Sequence, residues 1–213
     1  MTEELLLSDF EVEHLFATET FLRDHPSFSS AETVSEVQMQ QMSGQETPPG
    51  ILAVVRIPRQ RELTIPGRFV LALDGIANPG NMGTIIRTAE WFGIREVVCS
   101  TDCVEVWNPK VIQATMGSVF RINVTEADLP VFLTEQRRQG KAIYGALLEG
   151  GNLFELKEKK EGIIVIGSES HGIRPEVLPY ITHPITIPRV GKSPTESLNA
   201  SIAAAIIMAE MTK

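Results

Sequence analysis

The fold of this chain is decided by one stretch, Phe69-Val-Leu-Ala-Leu-Asp-Gly-Ile-Ala-Asn-Pro-Gly-Asn-Met-Gly-Thr-Ile-Ile-Arg-Thr-Ala-Glu-Trp-Phe-Gly93. Phe69 to Leu73 form a short apolar run, which predicts a buried strand. Residues 74–83 contain three glycines, two asparagines and a proline, a composition typical of a loop. Residues 84–92 are predicted to form a helix, which Gly93 ends as its C′ residue.

Two polar residues of this stretch are candidates for a functional site. Asn81 lies at the end of the predicted loop, and Arg87 projects from the helix away from its apolar face. In α/β proteins, ligands bind where the carboxyl end of a strand meets the next helix. Considered alone, the stretch is best interpreted as an ordinary strand–loop–helix unit with a surface arginine.

Strand patterns alternate with helix patterns along the rest of the chain. The predicted strands are residues 96–100, 119–124, 142–147 and 163–166, and the predicted helices are residues 108–117, residues 128–139 and a last one from about Ser197. This alternation predicts an α/β fold, a mainly parallel sheet with helices on both faces. Neither a Gly-x-Gly-x-x-Gly turn nor a P-loop is present, which argues against a nicotinamide or nucleoside triphosphate site.

Two later segments also carry polar residues after predicted strands. Residues 166–173 read Ile-Gly-Ser-Glu-Ser-His-Gly-Ile. The carboxylate of Glu169 is a functional group, a loop carboxylate that accepts backbone hydrogen bonds, or both. Residues 185–210 contain Ser197-Leu-Asn199 before an apolar helix pattern. Considered alone, Ser197 is best interpreted as the N-cap of that helix.

Charge is distributed unevenly along the chain. The net charge of −8 argues at first against a nucleic-acid partner. However, residues 1–50 carry ten acids and one base, or −9, which leaves 18 bases and 17 acids, or +1, in the remainder. Four arginines cluster just before the quoted stretch: Arg56, Arg59, Arg61 and Arg68. They form either a solvated linker or a phosphate-contacting edge, and the sequence leaves both open.

The sequence contains no signal for a membrane span or a metal site. The longest apolar run, Ile202 to Ala209, has eight residues, whereas a span needs ~18. Cys99 and Cys103 have neither disulfide-framework nor zinc spacing, and we interpret them as buried thiols of a cytoplasmic protein. The four histidines are scattered, so no metal site is predicted.

The quoted stretch resembles motif 1 of the SpoU (TrmH) family of RNA ribose 2′-O-methyltransferases, Asn-Pro-Gly-Asn-x-Gly-x-Ile-x-Arg-Thr-Ala followed by Phe-Gly. Residues 166–173 are similar to motif 2, Gly-x-Glu-x-x-Gly-Leu, from which Ser170 and Ile173 depart. Residues 185–210 are similar to motif 3, Ile-Pro-x-x-Gly…Glu-Ser-Leu-Asn-x-Ser-x-Ala-Ala, with a longer interval through residues 192–195. The three motifs follow one another in the family's order.

The resemblance implies an enzyme that transfers a methyl group from S-adenosyl-L-methionine to a ribose 2′-hydroxyl of RNA, without a metal. It implies a polar active site made by Asn81, Arg87, Glu169, Ser197 and Asn199. It implies cofactor contacts from Gly167, Ile187 and Leu198. It also implies a SPOUT fold with a C-terminal trefoil knot, and a homodimer in which the knotted regions of two subunits pack together.

The N-terminal residues resemble the second half of the RNA substrate-binding domain that precedes many SpoU catalytic domains. We therefore predict a partial N-terminal substrate-binding domain (residues 1–57), a linker (58–68) and a methyltransferase domain (69–213). Within the first, residues 13–22 are predicted to be helical and residues 51–55 to form a strand. The absent first half indicates either a naturally short form or numbering that begins inside a longer protein.

Fold-level analogy favours ribosomal RNA over transfer RNA as the substrate. The alternatives are a tRNA 2′-O-methyltransferase and a catalytically inactive RNA-binding protein of the same fold.

Overall fold

The computed structural model describes residues 2–59, 68–191 and 196–213. Contacts divide the chain into two compact units, Met1–Arg59 and Gln60–Lys213. Most of the predicted linker and all of the longer motif 3 interval, residues 192–195, lie outside the described residues. None of the helices in the described ranges has the length and apolar character needed to cross a membrane.

The described residues of the N-terminal unit form a small sheet with short helices. Strands β1 (Val12–Thr18), β2 (Glu32–Val34) and β3 (Ile51–Val55) are arranged in the order β2-β1-β3. The helices are α1 (Thr2–Leu6), α2 (Glu19–Asp24) and α3 (Glu36–Met42). The strand predicted at residues 51–55 is confirmed.

The helix predicted over residues 13–22 is wrong in its first half. Residues 12–18 form β1 because they pair with β2 on one side and β3 on the other, with Leu15 and Ala17 on the face that packs into the small core. The chain changes to helix only at Thr18, whose side-chain oxygen accepts a hydrogen bond from the Phe21 N–H and caps α2.

The second unit contains a six-stranded sheet in the order β6-β5-β4-β8-β7-β9, in which every paired neighbour is parallel. Its strands are β4 (Phe69–Asp74), β5 (Glu96–Cys99), β6 (Asn123–Glu126), β7 (Ala142–Asn152), β8 (Gly162–Gly167) and β9 (His183–Thr186). The helices are α4 (Pro79–Trp91), α5 (Pro109–Thr115), α6 (Leu129–Arg138) and α7 (Ala200–Met211). The predicted α/β fold with a mainly parallel sheet is confirmed; the trefoil knot stays a prediction.

The central strand β4 divides the core into two layers. Leu71 and Leu73 pack on one face with α4 and α7, and Val70 and Ala72 pack on the other face with α6. Successive side chains of a strand point to opposite faces, so an uninterrupted apolar strand requires a cover on both sides. This explains why Phe69 to Leu73 are apolar at every position.

The first turn of α4 lies in the segment predicted to be a loop. The helix begins at Pro79 and not at residue 84, because the Asn78 side-chain oxygen accepts the Asn81 N–H at 3.0 Å and Pro79 is preset for the first helical position. Gly80 and Gly83 are therefore helical, and the loop shrinks to a few residues around Gly75, at φ +69°. The predicted stop at Gly93 agrees with its φ of +76°.

One strand is displaced from its predicted position. Residues 119–124 were expected to be extended, but Ser118–Phe120 form a 3-10 turn and β6 starts at Asn123. Met116 and Gly117 both have positive φ, which turns the chain sharply after α5 and delays the strand.

Gly83 allows α4 and α5 to approach closely, and its replacement tests that contact. A Cβ at this position would lie 2.5 Å from the Ala114 Cβ and 2.7 Å from the Val111 carbonyl oxygen. Helix propensity alone makes Gly→Ala favourable by about 1 kcal/mol, whereas overpacking costs about 1–3 kcal/mol. We expect Gly83→Ala to lower the free energy of unfolding measured in denaturant. Thr84→Ala, at the exposed neighbouring position, is the control and should not lower the free energy of unfolding. A higher free energy of unfolding for Gly83→Ala would contradict the tight contact.

Candidate active site at the carboxyl edge of the sheet

Three segments that are distant in the chain meet at the carboxyl edge of the parallel sheet. They are the first turn of α4, the loop after β8 and the start of α7. β4 and β8 are neighbouring strands, with Asp74 opposite Gly167 in the register. Because parallel strands end at the same edge, the loops that follow them lie side by side.

A polar network joins one side chain from each of these segments. The Asn81 amide Nδ2 donates to the Glu169 carboxylate at 3.2 Å, and the Asn199 Nδ2 donates to the Asn81 Oδ1 at 3.0 Å. The Asn199 Nδ2 also lies 3.3 and 3.4 Å from the two oxygens of Glu169. Three of the five predicted catalytic residues are thus in direct contact, which no spacing in the sequence reveals.

Asn199 also determines where α7 begins. Its Oδ1 accepts hydrogen bonds from the Ser201 N–H at 3.0 Å, the Ser201 hydroxyl at 2.6 Å and the Ile202 N–H at 3.4 Å. The interpretation of Ser197 as the N-cap, with the helix starting near that residue, is therefore wrong: Asn199 is the cap and Ala200 the first helical residue. Capping uses the oxygen of the amide and leaves its nitrogen for Glu169 and Asn81.

Glu169 stands at the tip of a tightly closed loop. Ser168 and Gly172 exchange both backbone hydrogen bonds, at 3.0 and 2.9 Å. A Cβ on Gly167 would lie 2.1 Å from the Gly172 carbonyl carbon, so the two sides of the loop fit together only with glycine at this position. His171 is exposed beside Ser170, and its Nδ1 lies 2.8 Å from the Ser170 hydroxyl.

A buried ion pair that the sequence analysis missed lies under this loop. The Asp74 carboxylate is fully buried and accepts the Arg174 N–H at 2.8 Å and the Arg174 Nε–H at 2.6 Å. Burial acts to lower the pKa of Arg174, but the hydrogen bond and the charge of Asp74, with Asp102 and Glu176, raise it overall. The available signal was a carboxylate at the end of a wholly apolar strand, because such a group requires a partner when buried.

The turn after β5 supports the loop that precedes α4. The Gly75 N–H donates to the Ser100 hydroxyl oxygen at 2.9 Å, and the Ile76 N–H donates to the Cys103 Sγ at 3.3 Å. A hydrogen bond with Cys99, against the opposing effect of burial, lowers the pKa of Cys103 to about 7. Both cysteines are free thiols.

The remaining predicted catalytic residues lie outside the network. Arg87 is exposed on α4, six residues after Asn81, and makes no hydrogen bond or ion pair with the residues that the structure describes. Six helical residues correspond to about 9 Å along the helix axis. Ser197 is exposed and lies two residues before Asn199. Within the described ranges, no group of His, Cys, Asp and Glu residues could hold a metal ion.

Comparison with known proteins identifies the family. A family model described as the SpoU rRNA methylase family matches residues 68–209. The chain belongs to this family. It is 32% identical to the 23S rRNA (guanosine(2553)-2′-O)-methyltransferase RlmP of Bacillus subtilis, over 82% of this chain and 69% of that enzyme.

Solved structures of the SpoU family share the fold. A TrmH-family structure from Porphyromonas gingivalis aligns with a TM-score of 0.87 at 40% identity, over 98% of this chain and 84% of that one. The SpoU methyltransferase AviRb of Streptomyces viridochromogenes, solved in complex with the cofactor AdoMet, aligns with a TM-score of 0.84 at 22% identity, over 99% of this chain and 86% of that one. At 22% identity, the second comparison bears on the fold alone.

A surface cavity lies beside Ile187, one of the three residues predicted to contact the cofactor. It has a volume of about 410 Å³ and is lined by Leu148, Thr186, Ile187, Pro188 and Arg189. Cofactor sites typically have volumes of roughly 300–1,000 Å³ and mainly apolar walls with a few polar groups. These residues fit S-adenosyl-L-methionine, and Ile187 is one of the predicted contacts. Gly167 and Leu198 are not among the lining residues, and their cofactor contacts stay predictions.

The two roles of Asn199 can be separated by substitution. Asn199→Ala removes both the cap and the amide donor, and loss of a cap costs about 1 kcal/mol. Asn199→Ser keeps a capping oxygen but has no donor that replaces the amide nitrogen. We therefore expect the free energy of unfolding to fall for Asn199→Ala and to stay close to that of the wild type for Asn199→Ser, as measured by denaturant titration. Equal losses of the free energy of unfolding in the two variants would show that the network, and not the cap, stabilises this end of α7.

Proposed function

We propose that this chain is an RNA methyltransferase that uses S-adenosyl-L-methionine to methylate a ribose 2′-hydroxyl, with ribosomal RNA as the substrate. The observation that carries the proposal is the network of Asn81, Glu169 and Asn199, which joins the three SpoU motifs in one site. The relative RlmP, named for 2′-O-methylation of 23S rRNA, supports the choice of reaction and of RNA class. The two free thiols suit a reducing compartment, and we assign the reaction to the cytoplasm.

The reaction requires orientation and charge stabilisation more than covalent catalysis. When bound, S-adenosyl-L-methionine would supply an electrophilic methyl group, which an attacking ribose oxygen must approach in line as the sulfur–methyl bond breaks and the hydroxyl proton is released to water. Glu169 accepts hydrogen bonds from the amides of Asn81 and Asn199 and fixes both side chains. Side chains held in this way form a rigid polar wall, so the ribose is oriented before it reacts.

Arg87 supplies positive charge to this site. An arginine guanidinium is effectively always protonated in proteins, so it is a poor acceptor for the hydroxyl proton. We assign it two roles, holding a phosphate of the RNA and stabilising the negative charge that develops on the ribose oxygen. Arg87 is exposed on α4, and no other residue that the structure describes uses its donors, so all of them are available to the substrate.

Labelled methyl transfer tests the reaction and the RNA class together. The purified chain is incubated with methyl-labelled S-adenosyl-L-methionine and, separately, with ribosomal RNA and transfer RNA. Nuclease digestion of ribosomal RNA should yield label on the ribose 2′-oxygen. Label on a base would reject ribose methylation, and label in tRNA alone would reject the substrate. Cofactor binding in calorimetry without transfer to either RNA would favour the inactive RNA-binding protein.

Substitution of Arg87 separates catalysis from cofactor binding. We expect Arg87→Ala to lower kcat about 100-fold or more, the typical cost of removing a group that stabilises developing charge. The Kd for S-adenosyl-L-methionine, measured by calorimetry, should not change, because the cofactor cavity is lined by residues around Ile187. Arg95→Ala is the control, because Arg95 is an exposed arginine beyond the end of the same helix, and it should change neither kcat nor the Kd. A parallel loss of cofactor affinity would show that Arg87 has a different role.

The homodimer is a further part of the proposal. α7 packs one face on its own unit, but an apolar stripe on its other side stays partly exposed: Ile202, Ala205, Ile206 and Ala209. The side chain of Ile202 is 51% exposed, and Leu198 just before the helix is 44% exposed. A helix that is apolar all round requires a second cover, and a two-fold partner can supply one through a self-complementary patch.

Light scattering tests the dimer. We expect the wild type to have twice the 23.5 kDa chain mass at micromolar concentration. Ile202→Glu should shift the mass towards the monomer, because it places a charge in the proposed interface. Val131→Glu, at an exposed apolar position on α6, should not. A wild-type mass near 23.5 kDa would refute the dimer.

A further inference from the structure

The loop that carries Glu169 is held at both ends by one residue, Asp74. At the entry of the loop, Gly167 is the register partner of Asp74 across β8 and β4. At the exit, the Arg174 backbone N–H and Nε–H both donate to the Asp74 carboxylate. The backbone of Asp74 at one end and its buried carboxylate at the other therefore close a six-residue connection, residues 168–173, whose tip contacts Asn81 and Asn199.

The fit of the loop on this base is close. Gly75, which follows Asp74, lies close to the loop: a Cβ there would make a tight contact of 3.3 Å with an Asp102 carboxylate oxygen and an ordinary contact of 3.7 Å with the Ser168 Cβ. Asp102 in turn lies 3.4 Å from the Arg174 guanidinium. The base of the loop is thus held by two carboxylates from neighbouring strand ends.

Stability alone is a poor explanation for this ion pair. The Asp74 carboxylate is fully buried while the Arg174 side chain is 28% exposed, and a salt bridge with a buried charge is often no more stabilising than apolar residues of the same size, since that charge loses its hydration. What the pair adds is direction, because the planar Arg174 guanidinium is fixed by its Nε bond to Asp74 while its Nη1 lies 3.4 Å from Asp102. Because the ion pair lies directly under the loop, it fixes the loop that carries Glu169 at its tip.

We propose that the Asp74–Arg174 pair positions Glu169 in the methyl-transfer site, so that Arg174 acts on turnover through Glu169 without touching the substrate or the cofactor. The inference rests on the proposed methyltransferase function. It predicts a change in kcat and none in cofactor affinity. A displacement of about 1 Å in a catalytic constellation lowers rates by up to roughly 100-fold.

The test compares Arg174→Lys with a matched ion-pair variant. Arg174→Lys keeps the charge and the backbone hydrogen bond but loses the planar guanidinium and its Nε donor. The control is Glu161→Gln, which removes an ion pair with Lys141 (3.0 Å) at the opposite edge of the same sheet. We expect Arg174→Lys to lower kcat at least tenfold, with the Kd for S-adenosyl-L-methionine unchanged, and Glu161→Gln to change neither.

A double-substitution cycle decides whether Arg174 acts through Glu169. If it does, Arg174→Lys has no further effect on kcat when Glu169 is already alanine. If Arg174→Lys lowered kcat by the same factor in both backgrounds, the proposal would be overturned and Arg174 would have only a general structural role. Circular dichroism of each variant confirms that it is folded.

Hydrogen exchange gives a readout that does not depend on activity. The Gly172 amide is bonded to the Ser168 carbonyl oxygen at 2.9 Å, so its protection reports loop closure. We expect Arg174→Lys to lower this protection and Glu161→Gln to leave it unchanged. Unchanged protection in Arg174→Lys would overturn the proposal. If the wild-type protein transferred no methyl group while Arg174→Lys still lost this protection, the proposed function would be rejected. The role of the Asp74–Arg174 pair in closing the loop would stand.

Discussion

The Glu169 carboxylate is the contact on which the rest of the site depends. It accepts hydrogen bonds from amides at the starts of two helices, α4 and α7, and so joins segments that share no sequence neighbourhood. The parallel sheet makes this possible, because β4 and β8 end side by side. A carboxylate at the tip of a tightly paired loop then needs only a small displacement to lose both partners.

Much of the fold could be predicted because each pattern had a local cause. Apolar runs of four or five residues identified β4 and β8, and Asn-Pro and Asp before apolar periods identified the starts of α5 and α6. The start of α4 was missed because Asn78-Pro-Gly-Asn-Met-Gly83 has the composition of a loop. Gly83 serves helix packing and not a turn, and only the tertiary contact with α5 distinguishes these two uses.

The candidate site was predictable as a set of residues but not as an arrangement. Resemblance to the family pointed to Asn81, Glu169 and Asn199, yet their mutual hydrogen bonds depend on strand order, which no local pattern contains. The cap of α7 was assigned to Ser197, because serine and asparagine are nearly equal as caps and the loop geometry decides between them. The Asp74–Arg174 pair was missed altogether, because its partners are separated by 100 residues.

Those separations determine when the site can exist during synthesis. The bonds that build it join residues 100, 88 and 118 positions apart in the chain. Contacts of such long range form late, because the intervening chain must first be ordered. Asn199 leaves the ribosome after every strand of the sheet, so a nascent chain completes its sheet before its network. The site therefore depends on residues that are synthesised after the last strand of the sheet, so the sheet alone cannot form it.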